Sequence, residues 1–287
     1  MTPPPRSVVL DYDGTLTDVE AGATAFRARF DARIAALLGR DEGEVSRAFR
    51  EVEAKIDATP ERFGWSFRGV VVAPACADPY IRATCAAHLV FDRFVYLPGE
   101  ETQRADSIYG IYRESYQGTQ TVFRADTKAV LEALLARLPV LHVVTNAAAD
   151  VVSSRLATLD LAGGDRLRVV GDARKFVVEG SSLQPEAFAR LPEGSTIPGL
   201  PRPVLVRRGH YFDVLVAIAS ELSVRAEEML VCGDIFELDL AMPFAMGSQV
   251  HLLTRPTTPD YEQRFLQTSP RATLGETLTT VLDRIPT

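Results

Sequence analysis

The chain has 287 residues, with 31 Lys and Arg against 38 Asp and Glu, and a formal charge of −7. Hydrophobic residues make up 46% of the sequence, which is the balance of a globular protein with enough apolar side chains for a buried core. The acidic balance argues against nucleic acid or an anionic membrane as the main partner, and no apolar stretch approaches the roughly 18 residues of a membrane helix.

The first predicted element is a short buried strand, Ser7 to Leu10, which leads directly into the polar turn Asp11-Tyr12-Asp13-Gly14-Thr15. A mostly helical block follows, in which apolar residues recur at helical spacing over 26–38, 45–56, 81–89 and 108–115. The stretches between these helices are irregular and rich in Pro, Gly and aromatic residues. We therefore expect residues 18–123 to form a helical domain inserted into a core made of residues 1–17 and 124–287.

From Thr127 onward, predicted strands alternate with predicted helices. The strands are expected at 140–144, 167–170, 229–232 and 249–253, and helices at 210–222, 236–246 and near 274–285. The Pro-rich segment from Gly180 to Pro203 has the composition of a loop or arm. Alternating strands and helices predict an α/β fold, with a doubly wound parallel sheet covered by helices on both faces.

Polar side chains follow three of these strands at the point where each strand ends. They are Asp11 and Asp13, then Thr145 and Asn146, then Asp234, with Asp239 one helical turn further on. The carboxyl ends of the strands are where open α/β sheets bind ligands, and clustered carboxylates there require a cation. Oxygen ligands suit Mg²⁺, so the pattern indicates phosphoryl transfer. Asp11 can act as the nucleophile, and Asp13 can act as general acid and then base.

The segment Asp11-Tyr12-Asp13-Gly14-Thr15-Leu16-Thr17-Asp18 resembles motif I of the haloacid dehalogenase superfamily. The strand end Val143-Val144-Thr145-Asn146 is similar to its motif II, and Gly233-Asp234-Ile235-Phe236-Glu237-Leu238-Asp239 is similar to its motif IV. The resemblance covers residues 6–17 and about 127–253, with the motifs in the family's order. It implies a Rossmann-like core with a helical cap that is inserted between motifs I and II and closes over the site.

The resemblance also implies roles for the matching residues. Asp11 would be the nucleophile and a Mg²⁺ ligand, and Asp13 would be the acid/base with its backbone carbonyl on the metal. Thr145 and Asn146 would bind the phosphoryl oxygens. Asp234 would complete the metal site, where Asp239 would orient its neighbours more than touch the ion. The family's dehalogenases lack an acidic residue at the position of Asp13, which argues against a reaction that displaces halide.

The third motif of the family, a Lys or Arg between Asn146 and Gly233, has two candidates in this chain. Lys175 follows the strand that ends at Val170, and Arg208 lies just before the helix that precedes motif IV. We expect Lys175–Val178 and Val204–Arg207 to pair as a hairpin that brings both cations to the same edge. Only three residues, Lys55, Lys128 and Lys175, are lysines in this Arg-rich chain. This favours Lys175, because a lysine in such a chain marks a place that suits a compact ammonium better than a planar guanidinium.

The sequence therefore predicts a Mg²⁺-dependent phosphatase that acts on a small phosphorylated metabolite through an aspartyl-phosphate. The alternatives are a phosphomutase or phosphotransferase acting on a sugar phosphate, and a binding or regulatory module that retains the fold without turnover. Within the inserted block, Trp65 and Arg68 are candidates for contacting the substrate. Three cysteines without metal-ligand spacing, and no visible signal peptide, predict a cytoplasmic protein.

Overall fold

The structure is a computed structural model that describes residues 3–117 and 121–286. The chain divides into two compact units, a core unit made of Met1–Thr17 and Phe123–Thr287 and an inserted unit made of Asp18–Val122. Residues 118–120, which belong to the predicted inserted block, lie outside the described residues. Within the described ranges, no helix combines the length and the apolar character that crossing a membrane requires.

The strands and helices are numbered here in chain order. The strands are β1 (Ser7–Leu10), β2 (Gly64–Phe67), β3 (Val70–Pro74), β4 (Leu141–Val144), β5 (Leu167–Val170), β6 (Gly194–Ser195), β7 (Val204–Leu205), β8 (Met229–Gly233), β9 (Gln249–Leu253) and β10 (Ala272–Gly275). The helices are α1 (Val19–Leu38), α2 (Glu42–Ala58), α3 (Pro79–Arg93), α4 (Glu101–Gln117), α5 (Thr127–Arg137), α6 (Ala149–Ala157), α7 (Pro185–Ala189), α8 (Gly209–Glu221), α9 (Ala241–Ala245) and α10 (Asp260–Gln267).

The core unit contains a six-stranded sheet in the order β10-β9-β8-β1-β4-β5, and all of its pairs are parallel. Alternate residues of β1 enter opposite faces, since Val8 and Leu10 join one apolar cluster and Val9 joins the other. One cluster includes the apolar side of α5, and the other includes the apolar side of α8. The prediction of a doubly wound α/β fold is thereby confirmed.

The sheet order also explains where a ligand would bind. The chain passes from β1 to β4 and β5 on one side, and β8, β9 and β10 then extend the sheet on the other side of β1. The order therefore reverses next to β1, and such a switch point leaves a crevice beyond the carboxyl ends of the strands. Asp11, which follows β1 directly, stands at that crevice. We call this edge of the sheet the carboxyl edge.

Two sequence predictions about the core unit are wrong. Residues 272–275 form β10, which pairs with β9 and places Thr273 opposite His251, so the expected helix near 274–285 is reduced to a 3₁₀ turn, Leu278–Arg284. The helix propensity of this segment is weak because it contains Gly275, and the hydrogen bonds gained by pairing with β9 outweigh it. The expected hairpin between 175–178 and 204–207 is also absent from the described residues, because β7 pairs instead with β6 inside the Pro-rich segment.

The inserted unit has its own apolar core, formed by α1, α2, α3 and α4. The amphipathic stripes of α1 and α2 are buried in it, including Phe26, Phe30 and Phe49. Asp18, the last residue of the segment resembling motif I, caps α1 by accepting a hydrogen bond from the Ala21 N–H. The irregular stretch before α3 contains a short hairpin, β2 with β3, which the sequence did not predict.

Candidate active site

The nucleophile candidate, Asp11, is fixed by the centre of the sheet. The last residue of β1, Leu10, lies between Val143 of β4 and Cys232 of β8 in the parallel register. The backbone N–H of Asp11 donates to the Cys232 carbonyl at 2.9 Å and continues this pairing. The ends of β1, β4 and β8 therefore meet at the carboxyl edge, which brings Asp11 and Asp234 into one buried group of carboxylates with Asp239.

Two glycines make room for this group. Gly14 has φ +78°, and a Cβ on it would lie 2.1 Å from Oδ2 of Asp234. A Cβ on Gly233 would lie 2.4 Å from the Cβ of Asp239. Any side chain at either position would thus displace a carboxylate of the group, and at Gly14 it would also have to adopt the left-handed backbone region. Gly14 and Gly233 are required by the close approach of the acidic side chains.

The ammonium of Lys175 neutralises two members of the group. Its Nζ lies 2.5 Å from Oδ1 of Asp11 and 2.9 Å from Oδ1 of Asp239. The side chain of Lys175 is 1% exposed, so both ion pairs are shielded from solvent. The face of the Tyr211 ring lies 5.5 Å from the same nitrogen, which adds a further favourable contact for the charge.

The loop after β5 delivers Lys175 without the expected hairpin. The N–H groups of Asp172 and Ala173 donate to the carbonyls of Ala147 and Thr145, each at 2.9 Å, so the loop runs alongside the residues that follow β4. The N–H of Lys175 then donates to Oδ1 of Asn146 at 2.8 Å. Asp172 and Arg174 both have positive φ, and backbone held in this region is characteristic of functional segments.

Burial and charge act against each other in this group. Burial raises the pKa of Asp11 to about 7; Lys175 opposes the rise, and Asp239 adds to it. Burial acts to lower the pKa of Lys175, but the negative charges of Asp11 and Asp239 outweigh it and raise the pKa above its ordinary value. Lys175 is therefore a permanent cation. Any further positive charge placed beside Asp11 would stabilise the ionised form of its carboxyl group.

The segment resembling motif IV begins at the last residue of β8, Gly233, and leads into a five-residue π-helical turn, Phe236–Leu240, rather than into a regular α-helix. Within this turn Oδ1 of Asp239 accepts from Lys175 and Oδ2 accepts from the Ile235 N–H at 3.1 Å. Both oxygens are engaged, so Asp239 is arranged to hold Lys175. π-Helical turns of this kind occur frequently at functional sites.

The remaining motif residues of the core unit lie at the same edge. Thr145 is buried, and its Oγ1 accepts from the Ala147 N–H at 3.1 Å, which closes a tight turn after β4. Asn146 is half-buried, and its side-chain Oδ1 accepts the hydrogen bond from the backbone N–H of Lys175. Asp13 is half-buried, and its negative charge contributes to the raised pKa of Asp11.

Three other predicted site residues lie in different surroundings. Arg208 is buried, and its Nε donates to the Leu205 carbonyl at 3.1 Å, beside the Pro-rich segment. Burial lowers the pKa of Arg208 to about 10, with Glu237 opposing this and Arg202 adding to it. Trp65 lies on β2 of the inserted unit, and Arg68 is exposed at the turn between β2 and β3. Their role toward a substrate remains a prediction.

Two residues that contact the carboxylate group were not predicted from the sequence. Arg255, two residues after β9, donates a short hydrogen bond to Oδ2 of Asp234. The sequence does carry a signal for it, because Arg255 is a polar residue just after the predicted strand 249–253, as Asp11, Thr145 and Asp234 are after theirs. Tyr211 donates from its hydroxyl to the backbone carbonyl of Asp239 at 2.9 Å. The only sequence signal for it is indirect, since Pro243 cannot supply a helical N–H to that carbonyl.

The donor set fits a hard divalent cation. Asp11, Asp234 and Asp239 each offer a carboxylate oxygen, and these atoms all lie within 4.8 Å of one another. Oxygen-only ligation by carboxylates, completed by water, is what Mg²⁺ uses in proteins. Since both oxygens of Asp239 are already engaged, by Lys175 and by the Ile235 N–H, Asp11 and Asp234 are the side chains best suited to hold the ion.

No protein family model matches the sequence, and no curated protein has significant sequence similarity to it. Solved structures do match over nearly the whole chain. A predicted phosphoglycolate phosphatase from Haemophilus somnus 129PT matches with a TM-score of 0.54 at 14% identity, covering 97% of each chain.

The HAD-hydrolase YfnB from Bacillus subtilis, crystallised with magnesium, matches with a TM-score of 0.52 at 13% identity, covering 99% of this chain and 100% of that one. A HAD-superfamily hydrolase of subfamily IA from Geobacter sulfurreducens PCA matches with a TM-score of 0.50 at 19% identity, covering 98% of this chain and 97% of that one. Dehalogenases are among the structures that match with lower TM-scores. At these identities the similarity establishes a shared fold.

Proposed function

We propose that this chain, which has the fold of the haloacid dehalogenase superfamily hydrolases, is a Mg²⁺-dependent phosphatase that uses Asp11 as its nucleophile. The substrate class is a small phosphorylated metabolite. Structures with this fold include a predicted phosphoglycolate phosphatase and a hydrolase bound to magnesium, which supports a hydrolase.

The observation that carries the proposal is the pair of ion pairs made by Lys175. A buried ammonium at 2.5 Å from Asp11 and 2.9 Å from Asp239 holds the nucleophile in one orientation. It also provides a fixed positive charge where a transferred phosphoryl group would develop negative charge. A set of surface carboxylates around a turn would not need such a buried cation.

The proposed reaction begins when a carboxylate oxygen of Asp11 attacks the phosphorus of the bound ester and displaces the alcohol. Asp13, two residues further on, protonates the departing oxygen and later removes a proton from the water that hydrolyses the aspartyl-phosphate. Lys175 holds Asp11 and offers its positive charge to the phosphoryl oxygens, and the hydroxyl of Thr145 donates a hydrogen bond to them. When bound, Mg²⁺ supplies further neutralisation of the phosphoryl charge.

Asp13 supports phosphate over halide as the group displaced. An alkoxide is a poor leaving group and needs a proton from a nearby acid, whereas a halide ion leaves without one. The half-buried position of Asp13 keeps it within electrostatic reach of Asp11, whose pKa it raises. A residue with this position and chemistry favours a phosphatase over a dehalogenase.

The proposal is tested with a panel of phosphate monoesters that includes sugar phosphates, phosphoglycolate and nucleoside monophosphates. Release of inorganic phosphate is measured with Mg²⁺ and with excess chelator, and halide release from 2-haloacids is measured in parallel. We expect Mg²⁺-dependent phosphate release and no halide release. Isomerisation of a sugar phosphate without net phosphate release would instead identify a mutase, and halide release would overturn the proposal.

A further inference from the structure

A second cationic side chain, Arg255, contacts the buried carboxylate group, and the proposed chemistry does not use it. β9 lies beside β8, with Leu252 opposite Gly233, so residues after β9 reach the carboxyl edge next to Asp234. A turn fixes Arg255 there, since its N–H donates to Oγ1 of Thr258 at 2.8 Å and its carbonyl accepts from the Thr258 N–H at 2.9 Å. The guanidinium then donates to Oδ2 of Asp234.

Both partners of this ion pair are shielded from solvent. The side chain of Arg255 is 7% exposed and that of Asp234 is 2% exposed. A buried carboxylate carries a large desolvation cost unless a charge lies beside it. Lys175 already serves Asp11 and Asp239. Arg255 places a positive charge directly beside Asp234.

The charges of the group define what a metal ion meets. Asp11, Asp234 and Asp239 contribute three negative charges when ionised, and Lys175 and Arg255 contribute two positive charges. Lys175 and Arg255 thus offset two of these three negative charges, while Asp13 adds a further negative charge near Asp11. A divalent ion that binds Asp234 comes close to a guanidinium held on the same carboxylate, and like charges in a shielded site repel strongly.

We propose that Arg255 is the counter-ion of Asp234 in the metal-free protein and competes with Mg²⁺ for that carboxylate. Arg255 then has two effects, since it preserves the folded site without metal and weakens the affinity for Mg²⁺. The inference rests on the proposed function, in which Asp234 is a metal ligand. Arg255 acts through Asp234 and is a positioning residue. A purely orienting role would have the opposite sign, because removing the arginine would then weaken metal binding.

The test is direct titration of metal-free protein with Mg²⁺ alone, by calorimetry, together with melting curves. Arg255→Gln removes the charge, and Arg255→Lys retains it. The matched control is Arg271→Gln, in the same unit, because Arg271 donates to the carbonyls of Phe244 and Ser248. We expect Arg255→Gln to melt at a lower temperature without metal, and to bind Mg²⁺ about tenfold more tightly or better, since one repelling charge is gone. Arg255→Lys and Arg271→Gln should keep a Kd within about threefold of wild type, because both retain the charge at Arg255's position.

Unchanged or weaker Mg²⁺ binding by Arg255→Gln, with wild type binding normally, overturns this inference and leaves the proposed function standing. Tighter binding by Arg255→Lys equal to that of Arg255→Gln also overturns it, because shape and not charge would then be responsible. If Arg255→Gln is unfolded without metal, Mg²⁺ must restore its circular dichroism spectrum, and failure to do so contradicts the competition. A wild-type protein that binds no Mg²⁺ overturns the proposed function and this inference together.

Discussion

The hydroxyl of Tyr211, on α8, donates to the backbone carbonyl of Asp239 at 2.9 Å, within the π-helical turn Phe236–Leu240. In a regular helix that carbonyl would accept from the N–H four residues later, but residue 243 is a proline and has none. Tyr211 is buried and its ring also lies against the ammonium of Lys175. One side chain thus supports both partners of the Lys175–Asp239 ion pair.

Tyr211→Phe should lower kcat by about tenfold with little change in KM, because a buried carbonyl left without a donor costs about 1–3 kcal/mol and shifts Asp239. The matched control is Tyr261→Phe, which removes a buried hydroxyl that donates to the side chain of Glu237 at the same distance of 2.9 Å. Steady-state kinetics of both variants provide the measurement. An equal fall in kcat for the two variants would show that Tyr211 has no particular link to Lys175.

Lys175→Met should lower turnover by about 10²-fold or more, the scale of losing one preorganised donor. Lys175→Arg should not restore full activity, because a planar guanidinium cannot occupy the place of an ammonium between two carboxylates. Lys128→Met is the control, since Lys128 donates to the surface carbonyls of Leu159 and Asp160. Normal turnover by Lys175→Met in a folded protein would remove Lys175 from the mechanism.

Arg208→Met should retain turnover within about tenfold of wild type, below the loss expected for a preorganised donor, and should lower the melting temperature. Its guanidinium holds the Leu205 carbonyl beside the Pro-rich segment, where Arg202 makes two hydrogen bonds to Glu237 at 2.6 and 2.8 Å. The measurement combines kinetics with thermal melting of the same preparation. An inactive Arg208→Met beside a near-normal Lys175→Met would assign the third motif to Arg208.

His251 should destabilise the protein in acid. Burial lowers its pKa to about 4 from an ordinary value of 6.5, and its ring nitrogens lie 2.8 and 3.0 Å from the hydroxyls of Thr273 and Thr280. Between these two pH values, His251 is protonated in the unfolded state and neutral in the folded state. The stability that neutral His251 contributes is fully present above its ordinary pKa and is lost as the pH falls toward 4, by up to about 3 kcal/mol.

Denaturant unfolding of wild type and His251→Gln between pH 4 and pH 7 measures this contribution. The free energy of unfolding should fall less steeply toward acid in the variant, whatever its value at pH 7. Parallel pH dependences for the two proteins would show that His251 does not titrate with folding.

Much of the fold followed from patterns that are local in the sequence. β1, β5 and β9 have the bounds that the sequence predicted, because short β-branched runs between turn residues leave few alternatives. β10 was missed because its signal is its partner, β9, and not its own composition. The false hairpin has the same origin, since the sequence could not show that β6 was available to pair with β7.

The candidate site divides in the same way. Asp11 and Asp234 directly follow strands of one parallel sheet, so their proximity can be predicted without knowledge of the packing, because the carboxyl ends of such strands meet at one edge. Lys175 was named for its chemistry, but the loop that delivers it depends on hydrogen bonds to Thr145, Asn146 and Ala147 that no local pattern encodes. The contribution of Tyr211 needs the three-dimensional path of α8 past the π-helical turn, which only the structure provides.

The most direct test of the central claim is to capture the phosphorylated enzyme during turnover of the best substrate of the panel. Wild-type protein and Asp11→Asn are mixed with that substrate and Mg²⁺, quenched in acid, and analysed by peptide mass spectrometry, with phosphate release followed in parallel. We expect one phosphoryl group on Asp11 of wild type, and neither labelling nor turnover in a folded Asp11→Asn, because an amide is a poor nucleophile. Wild-type turnover by Asp11→Asn, or a phosphoryl group on another residue, would contradict the mechanism.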